Sequence, residues 1–329
     1  MAERPRSGGT EPRWLVEDGI GEERAVLLSG DEVLAAQVRW PGQLEPGLVE
    51  DAQLIAKPKT SPRGRARFAS GEIALVDRLP PTASEGSAVR LEVTRSRIGE
   101  GRRIKLAQAR PTQEPPHAAP TLAEKYGART VRRFAPGLWD GVLDDTREGV
   151  IDFPGGSLTI TATPAMTLVD VDGILPPRAL ALAAVDPLAR AIARLGLGGV
   201  IGIDFPTLQG KDDRKAVDVV LEGALADFDH ERTAMNGFGF VQLVARLERP
   251  SLLHRWQFDP VGAAARDLLR AGEGVVEPGV IMLTAAPPVL AALRPDWQAE
   301  LARRTGRTIR VRPDPALAIG GGFAQAVSA

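Results

Sequence analysis

Four prolines fall between Pro111 and Pro120, and they divide the chain into two stretches that cannot share one helix or one central strand. Proline fixes φ and lacks an N–H, so the segment 111–120 reads as a linker. The rhythm before it is that of short strands. Apolar-rich runs at Arg13–Val16, Arg24–Leu28 and Val33–Val38, the last following the Ser29-Gly30-Asp31 turn, predict an antiparallel meander over 13–38. Further runs at Leu48–Ala56, Gly64–Ala69, Glu72–Val76, Ala88–Thr94 and Arg102–Ala107 are punctuated by glycine and proline. They predict a small OB-like β-barrel over 39–110.

Beyond the linker the pattern changes to mixed α/β. Leu122–Val142 contains helix formers and predicts one or two short helices, and Phe153-Pro154-Gly155-Gly156 introduces a hairpin of Ser157–Thr163 and Met166–Asp172. Side chains alternate along a strand, so Leu168, Asp170 and Asp172 share one face. Asp186 before Pro187 predicts a helix start, with Leu188, Ile192 and Leu195 at helical spacing before Gly196. Gly199–Ile203 is a short apolar run, expected to be a strand buried on both faces, and it ends in Asp204. A loop carrying Lys211, Arg214 and Lys215 then leads to an expected helix at Ala216–Phe228 and a strand at Gly239–Leu247. Helices at Gly262–Ala271 and Pro287–Thr305, with strands at Val280–Thr284 and Thr308–Val311, predict a small α/β lobe over 256–329. The expected class is a multi-domain α+β or α/β protein: barrel, linker, a mixed α/β domain over 121–255, and this lobe.

Composition removes several chemistries. With no cysteine, disulfides, thiol nucleophiles and cysteine-containing zinc sites are excluded, and a reducing cytoplasm fits best. Residues 1–12 are polar and read as a disordered tail rather than a secretory signal, and no stretch is apolar enough to span a bilayer. His117, His230 and His254 lack ligand spacing and read as structural or surface residues; no phosphate-loop glycine motif or nucleophile elbow is present. Net charge is −1, so the distribution of charge has to decide about nucleic acid. Lys57, Lys59, Arg63, Arg65 and Arg67 form one basic run, and Arg95, Arg97, Arg102, Arg103 and Lys105 form another. Each is either a solvated face or a phosphate-tracking surface.

Asp170, Asp172 and Asp204 come from two strands joined by a helix, an arrangement able to set the strands side by side with their acids at one edge. Carboxylates suit Mg²⁺, which takes one or two of them and keeps its remaining ligands as water and substrate phosphate. Asp170 and Asp204 are the expected ligands, and Asp172 is placed to orient a water or a ligand. Acids at strand ends also cap helices or pair with arginine, and spacing leaves both readings open.

Three motifs add a resemblance. Phe153-Pro154-Gly155-Gly156-Ser157-Leu158-Thr159-Ile160, Thr167-Leu168-Val169-Asp170-Val171-Asp172-Gly173 and Leu197-Gly198-Gly199-Val200-Ile201-Gly202-Ile203-Asp204-Phe205-Pro206 are similar to the catalytic core of the ribonuclease E/G family. The likeness continues through Asn236-Gly237-Phe238-Gly239-Phe240 and Arg249-Pro250-Ser251-Leu252, covering 136–323 well and 13–112 weakly. It implies a magnesium-dependent endoribonuclease for single-stranded RNA, with a nuclease-type RNase H-like/DNase I-like sheet and an OB-type RNA-binding barrel. The family's metal-binding aspartates fall on Asp170 and Asp204. The RNA contacts it implies are Lys57, Lys59, Arg63, Arg65, Arg67, Phe68, Arg102, Arg103, Lys105, Lys211, Arg214, Lys215 and Arg246. The family's 5′-monophosphate sensor segment and zinc-link cysteines have no counterpart, so 5′ sensing and bound zinc are not expected, and a homodimer would need other contacts. Two alternatives remain: a non-catalytic RNA-binding relative, and a structural or assembly protein that touches no nucleic acid.

Overall fold

The computed structural model describes residues 11–100 and 103–328. Of the tail expected over 1–12, only Glu11 and Pro12 fall among the described residues, and they lead directly into β1 (Arg13–Gly19). With β2 (Glu22–Ser29) and β3 (Glu32–Arg39) it forms the expected antiparallel meander. β2 is central and nearly all buried, so its Glu22, Glu23 and Arg24 need partners inside the protein. Arg24 pairs with Glu17 at 2.8 Å and with Glu22, Trp40 Nε1 donates to Glu22 at 2.9 Å, and Arg39 pairs with Glu23 at 2.5 Å.

The barrel strands are β4 (Val49–Ala56), β5 (Gly64–Arg67), β6 (Ile73–Val76) and β7 (Ala88–Arg95), followed by a hairpin of β8 (Ile98–Glu100) and β9 (Arg103–Lys105), and then β10 (Ala107–Pro111). The barrel closes in the order β10-β6-β5-β4-β7. Its closing strand is not the expected Arg102–Ala107, which lies mostly in the separate hairpin. Ala107 and Ala109 are small enough to fill the interior, whereas Ile104 is exposed. The barrel interior takes alternate side chains, including Leu54, Ala66, Phe68, Leu91 and Val93. The proline segment does not run free: the backbones of His117 and Val49 exchange two hydrogen bonds of 3.0 Å, tying it to β4.

Next come α1 (Leu122–Tyr126), β11 (Arg129–Val131), which pairs parallel with β1, and α2 (Leu138–Glu148). Thr121 caps α1 in a capping box with Glu124. A six-stranded sheet follows from β12 (Val150–Phe153), β13 (Gly156–Ala162), β14 (Thr167–Gly173), β15 (Gly199–Asp204), β16 (His230–Arg232) and β17 (Phe240–Ala245), in the order β12-β13-β14-β15-β17-β16. Its helices are α3 (Pro177–Arg194), crossing from β14 to the parallel β15, and α4 (Lys211–Ala224). Both pack on one face, where Val169, Val171, Ile201 and Ile203 meet Leu180, Leu188, Ile192, Val217 and Leu221.

Two expectations fail in this sheet. α3 begins at Pro177, ten residues before the expected start, with Pro187 inside it; the buried series Leu180, Ala184, Leu188, Ala191 supplies packing that offsets the missing N–H. β15 is covered by helices on one face only. On the other face Gly202 is shielded by Phe240 and Met166, whose atoms would stand 2.6 and 2.7 Å from an added Cβ. This close approach requires glycine.

The chain ends in α5 (Leu252–Phe258), α6 (Pro260–Glu273), β18 (Val280–Ala285), α7 (Pro287–Ala291), α8 (Pro295–Thr305), β19 (Ile309–Pro313) and β20 (Phe323–Val327). These last three strands make a sheet in the order β19-β18-β20 around its own apolar cluster. The single helix expected over 287–305 is two, broken before Pro295. Buried ion pairs fasten the parts together: Arg270 of α6 reaches Glu17 at 3.0 Å, and Arg249 reaches Glu45, ahead of the barrel, at 2.8 Å. Among the described residues no helix is long and apolar enough to cross a membrane.

Candidate active site

β14 and β15 run parallel, and their register sets Asp170 directly beside Asp204. Side chains at paired positions of neighbouring strands point to the same face, with backbones about 4.8 Å apart. Both carboxylates stand on the helix-free face and are exposed. Neither has a hydrogen bond or ion pair among the described residues. Asp172, two residues further along β14 on the same face, is also exposed; its Oδ1 accepts from the Gly173 amide at 3.2 Å, which turns it toward its own backbone. Across the sheet Thr159 is opposite Asp170, Ser157 is opposite Asp172, and Phe240 is opposite Asp204.

The edge around this pair is tightly built. β15 is followed by Phe205, whose amide donates to the Gly239 carbonyl at 3.2 Å, and Gly239 has a φ of 95°. A Cβ there would lie 2.3 Å from the Phe205 carbonyl oxygen, so only glycine lets the 236–239 loop sit against the end of β15. Asn236 Oδ1 accepts from the amides of Phe238 at 2.9 Å and Phe240 at 3.1 Å, fixing the loop from within. Phe238 is 80% exposed, in the turn leading to Phe240, which is opposite Asp204. Sequence reasoning quoted this motif without singling out Phe238. The signal available was an aromatic between two glycines, in a turn too short to bury it.

No group of three or more acidic, histidine or cysteine side chains able to hold a metal occurs among the described residues. The acid pair is therefore a two-carboxylate arrangement. An ion held there would draw its other ligands from water and substrate, as Mg²⁺ does.

The expected RNA contacts do not gather in one groove. Arg65 and Arg67 point outward from β5, and Lys57, Lys59 and Arg63 lie at the β4–β5 connection. In the closed barrel β5 is separated from β7 by β4 and from β10 by β6. That wall is opposite a cleft of about 420 Å³ between barrel and sheet, where Arg95, Lys105, Gln108 and Arg246 meet the first residues of β14 and β15. The cleft lies three to five residues from the acid pair along these strands, about 10–16 Å. Arg246, just past β17, is exposed and pairs with Glu248 at 3.1 Å. Arg102 lies outside the described residues, and Arg103 is described only through its backbone in β9.

Phe68 is a correction to the expected stacking surface: it is 3% exposed, inside the barrel core. Alternation along β5 sends Ala66 inward, and Phe68 follows it. Lys211, Arg214 and Lys215 are not in a loop but in the first turns of α4, whose start is favoured by Asp212 and Asp213. Arg214 donates to the carbonyls of Leu208 at 2.6 Å and Gln209 at 3.2 Å, so it braces the connection from Asp204 to α4. His254 is buried with Nδ1 2.7 Å from Ser251 Oγ, and His230 stacks on Phe228.

No family model matches the chain. A stretch of 112 residues is 35% identical to Ribonuclease G of Escherichia coli K12, covering 30% of this chain and 23% of that protein. Ribonuclease G of Shigella flexneri and of Salmonella typhimurium SL1344 match with the same identity and coverage. This similarity supports a relationship to the ribonuclease E/G family. The chain spans about a quarter of the length of these ribonuclease G relatives, 23% of each.

Proposed function

We propose that the protein is an endoribonuclease of the ribonuclease E/G kind that hydrolyses phosphodiester bonds in single-stranded RNA with Mg²⁺ held by Asp170 and Asp204. One observation carries the reading: two exposed carboxylates, 34 residues apart in sequence, stand side by side in register on adjacent parallel strands, Asp170 in the middle of β14 and Asp204 at the end of β15, with no ion pair among the described residues. Like charges in register repel, and a cation held between them would relieve that repulsion. The similarity to ribonuclease G supports reading that partner as a metal and the substrate as RNA.

Bound Mg²⁺ would polarise the scissile phosphate and supply a metal-bound water of lowered pKa. The chain's own residues would do the positioning. Asp170 and Asp204 would fix the ion at the sheet edge, Asp172 would orient a water beside it, and Phe238 would offer a stacking face to a neighbouring base. Arg95, Lys105 and Arg246 would draw the phosphate backbone through the cleft toward the acids. The barrel runs through the short proline segment almost directly into the α/β part, so cleavage is expected not to favour a 5′-monophosphate.

The burial of Phe68 and the separation of the two basic walls favour a second reading, an RNA-binding relative with weak or no turnover. One assay separates them. Labelled unstructured RNA should be cut in magnesium, left intact in chelator, and left intact by Asp170→Asn and Asp204→Asn. Cutting that persists in both variants would reject the assignment, and RNA binding without cutting by the unmodified protein would establish the second reading.

A further inference from the structure

A second cleft, of about 320 Å³, opens where the barrel entry, the β8–β9 hairpin and α5 meet, and shares no residue with the acid-bearing face. Its chemistry is set by Trp40, Gln43, Arg97, Arg255 and Phe258. Arg255 is the unusual member. Its side chain is 4% exposed, with its Cζ 4.3 Å from the centre of the Trp40 ring. The nearest carboxylate, Glu45, gives its Oε2 to Arg249 at 2.8 Å, while its Oε1, buried without a hydrogen bond, stands 3.9 Å from Arg255 Nη2, an ion-pair distance beyond hydrogen-bond reach. Arg255 donates one long bond, 3.5 Å to Gln43 Oε1, while Nε and Nη2 have no hydrogen-bond partner.

A buried guanidinium with two unmet donors is costly, because both the charge and the N–H groups have lost water. The cost shows in its acidity: burial lowers Arg255 to about 10, and the attraction of Glu45 does not restore it. At the mouth of the same cleft Arg97 is exposed and has no ion pair among the described residues. The one acid on the lining, Asp259, has its Oδ1 accepting from the Gly262 amide at 3.0 Å, where it caps α6. Two guanidiniums thus line a cleft whose own acid, Asp259, is bonded to neither of them.

We propose that this cleft binds a phosphoryl group, with the positive charge of Arg255 at its base and Arg97 closing over it from the rim. Guanidinium groups match phosphate oxygens in geometry and charge. The apolar edges of Trp40 and Phe258 suit an organic body attached to the phosphate. The phosphoryl group would come from a free nucleotide or from the backbone of an RNA strand.

Calorimetry on the full chain, in chelator and at constant ionic strength, with inorganic phosphate, AMP, adenosine and an RNA oligomer without terminal phosphates, tests the proposal. Phosphate and AMP should bind saturably and adenosine should not. Arg97→Gln should weaken AMP by about tenfold, the loss of one charge-assisted contact. Arg255→Met should abolish binding while circular dichroism and the thermal midpoint show a folded chain. If the oligomer displaces AMP, the site serves the RNA backbone; if AMP binds undisturbed, it serves a free nucleotide. Absence of saturable phosphate binding, or equal binding by the unmodified protein and Arg97→Gln, would overturn the proposal. Because chelator removes the acid pair's metal, failure here leaves the nuclease reading untouched, and failure of the nuclease assay leaves this site untouched.

Discussion

The open face of the six-stranded sheet and the contacts that join the parts of the chain treat charge in opposite ways. At those contacts, Glu45–Arg249 beside the barrel and Glu17 with Arg24 and Arg270 between the meander and α6, the charges are buried and matched, each carboxylate meeting a guanidinium at 2.8 to 3.0 Å. On the open face Asp170, Asp172 and Asp204 are exposed and have no ion pair among the described residues. A buried pair earns its place only when both partners are present, since removing one strands the other without water. An exposed unmatched pair adds little to folding, and it is here that the proposed metal is placed. The difference separates residues that hold the fold from residues that the fold holds for use.

The comparison breaks most readily through stability. Glu45→Gln leaves the Arg249 guanidinium buried without its carboxylate and should destabilise the chain by about 3–5 kcal/mol, read as a lower urea midpoint. Asp170→Asn should change stability by no more than about 0.5 kcal/mol. A silent Glu45→Gln, or an Asp170→Asn that unfolds the chain, would reverse the two roles.

A smaller effect sharpens the functional side. Phe238→Ala should weaken binding of unstructured RNA in chelator by about 1–3 kcal/mol, the contribution of one stacked base, with Phe238→Tyr restoring it. Fluorescence of an RNA carrying 2-aminopurine reads the loss. Unchanged affinity would mean that the exposed ring is not a base platform.

The smallest concerns pH. Burial, with the negative charge of Glu22 nearby, lifts the Asp267 carboxyl to about 7, against the pull of Arg24 and of Arg147 at 2.9 Å. An acid whose folded pKa lies above its unfolded value of about 3.9 holds an extra proton when folded between the two. Its contribution to stability is therefore largest below about pH 4 and declines as pH rises toward 7. Asp267→Asn should flatten that part of the thermal-midpoint profile, and an unaltered slope would remove Asp267 as its source.

Much of the strand pattern could be read from residue order alone. Alternation placed Asp170 and Asp172 together on one face of β14, and the glycine and proline turns marked four of the five barrel strands. Other features depend on contacts between distant segments. β11 is three residues long and exists as a strand through its pairing with β1. β20 follows Gly320, Gly321 and Gly322, a run with no strand signal of its own. Pro187 mimicked a helix start because the Asp186-Pro187 pair is a strong local signal, whereas the packing of Leu180 and Ala184 that extends α3 is tertiary. The placement of Asp170 opposite Asp204 also required that α3 return the chain to the neighbouring strand in parallel, which spacing permits without fixing register. Phe68 was misjudged because an aromatic in a basic run resembles a stacking residue until the barrel closes around it.

Direct titration of a divalent ion tests the acid pair without relying on catalysis. Mn²⁺, followed by electron paramagnetic resonance as a stand-in for Mg²⁺, should bind the chain at a single saturable site. That binding should be lost in Asp170→Asn and in Asp204→Asn while circular dichroism stays the same. Undiminished Mn²⁺ binding in both variants would show that the two carboxylates do not hold a metal together, and the site assigned here would be wrong.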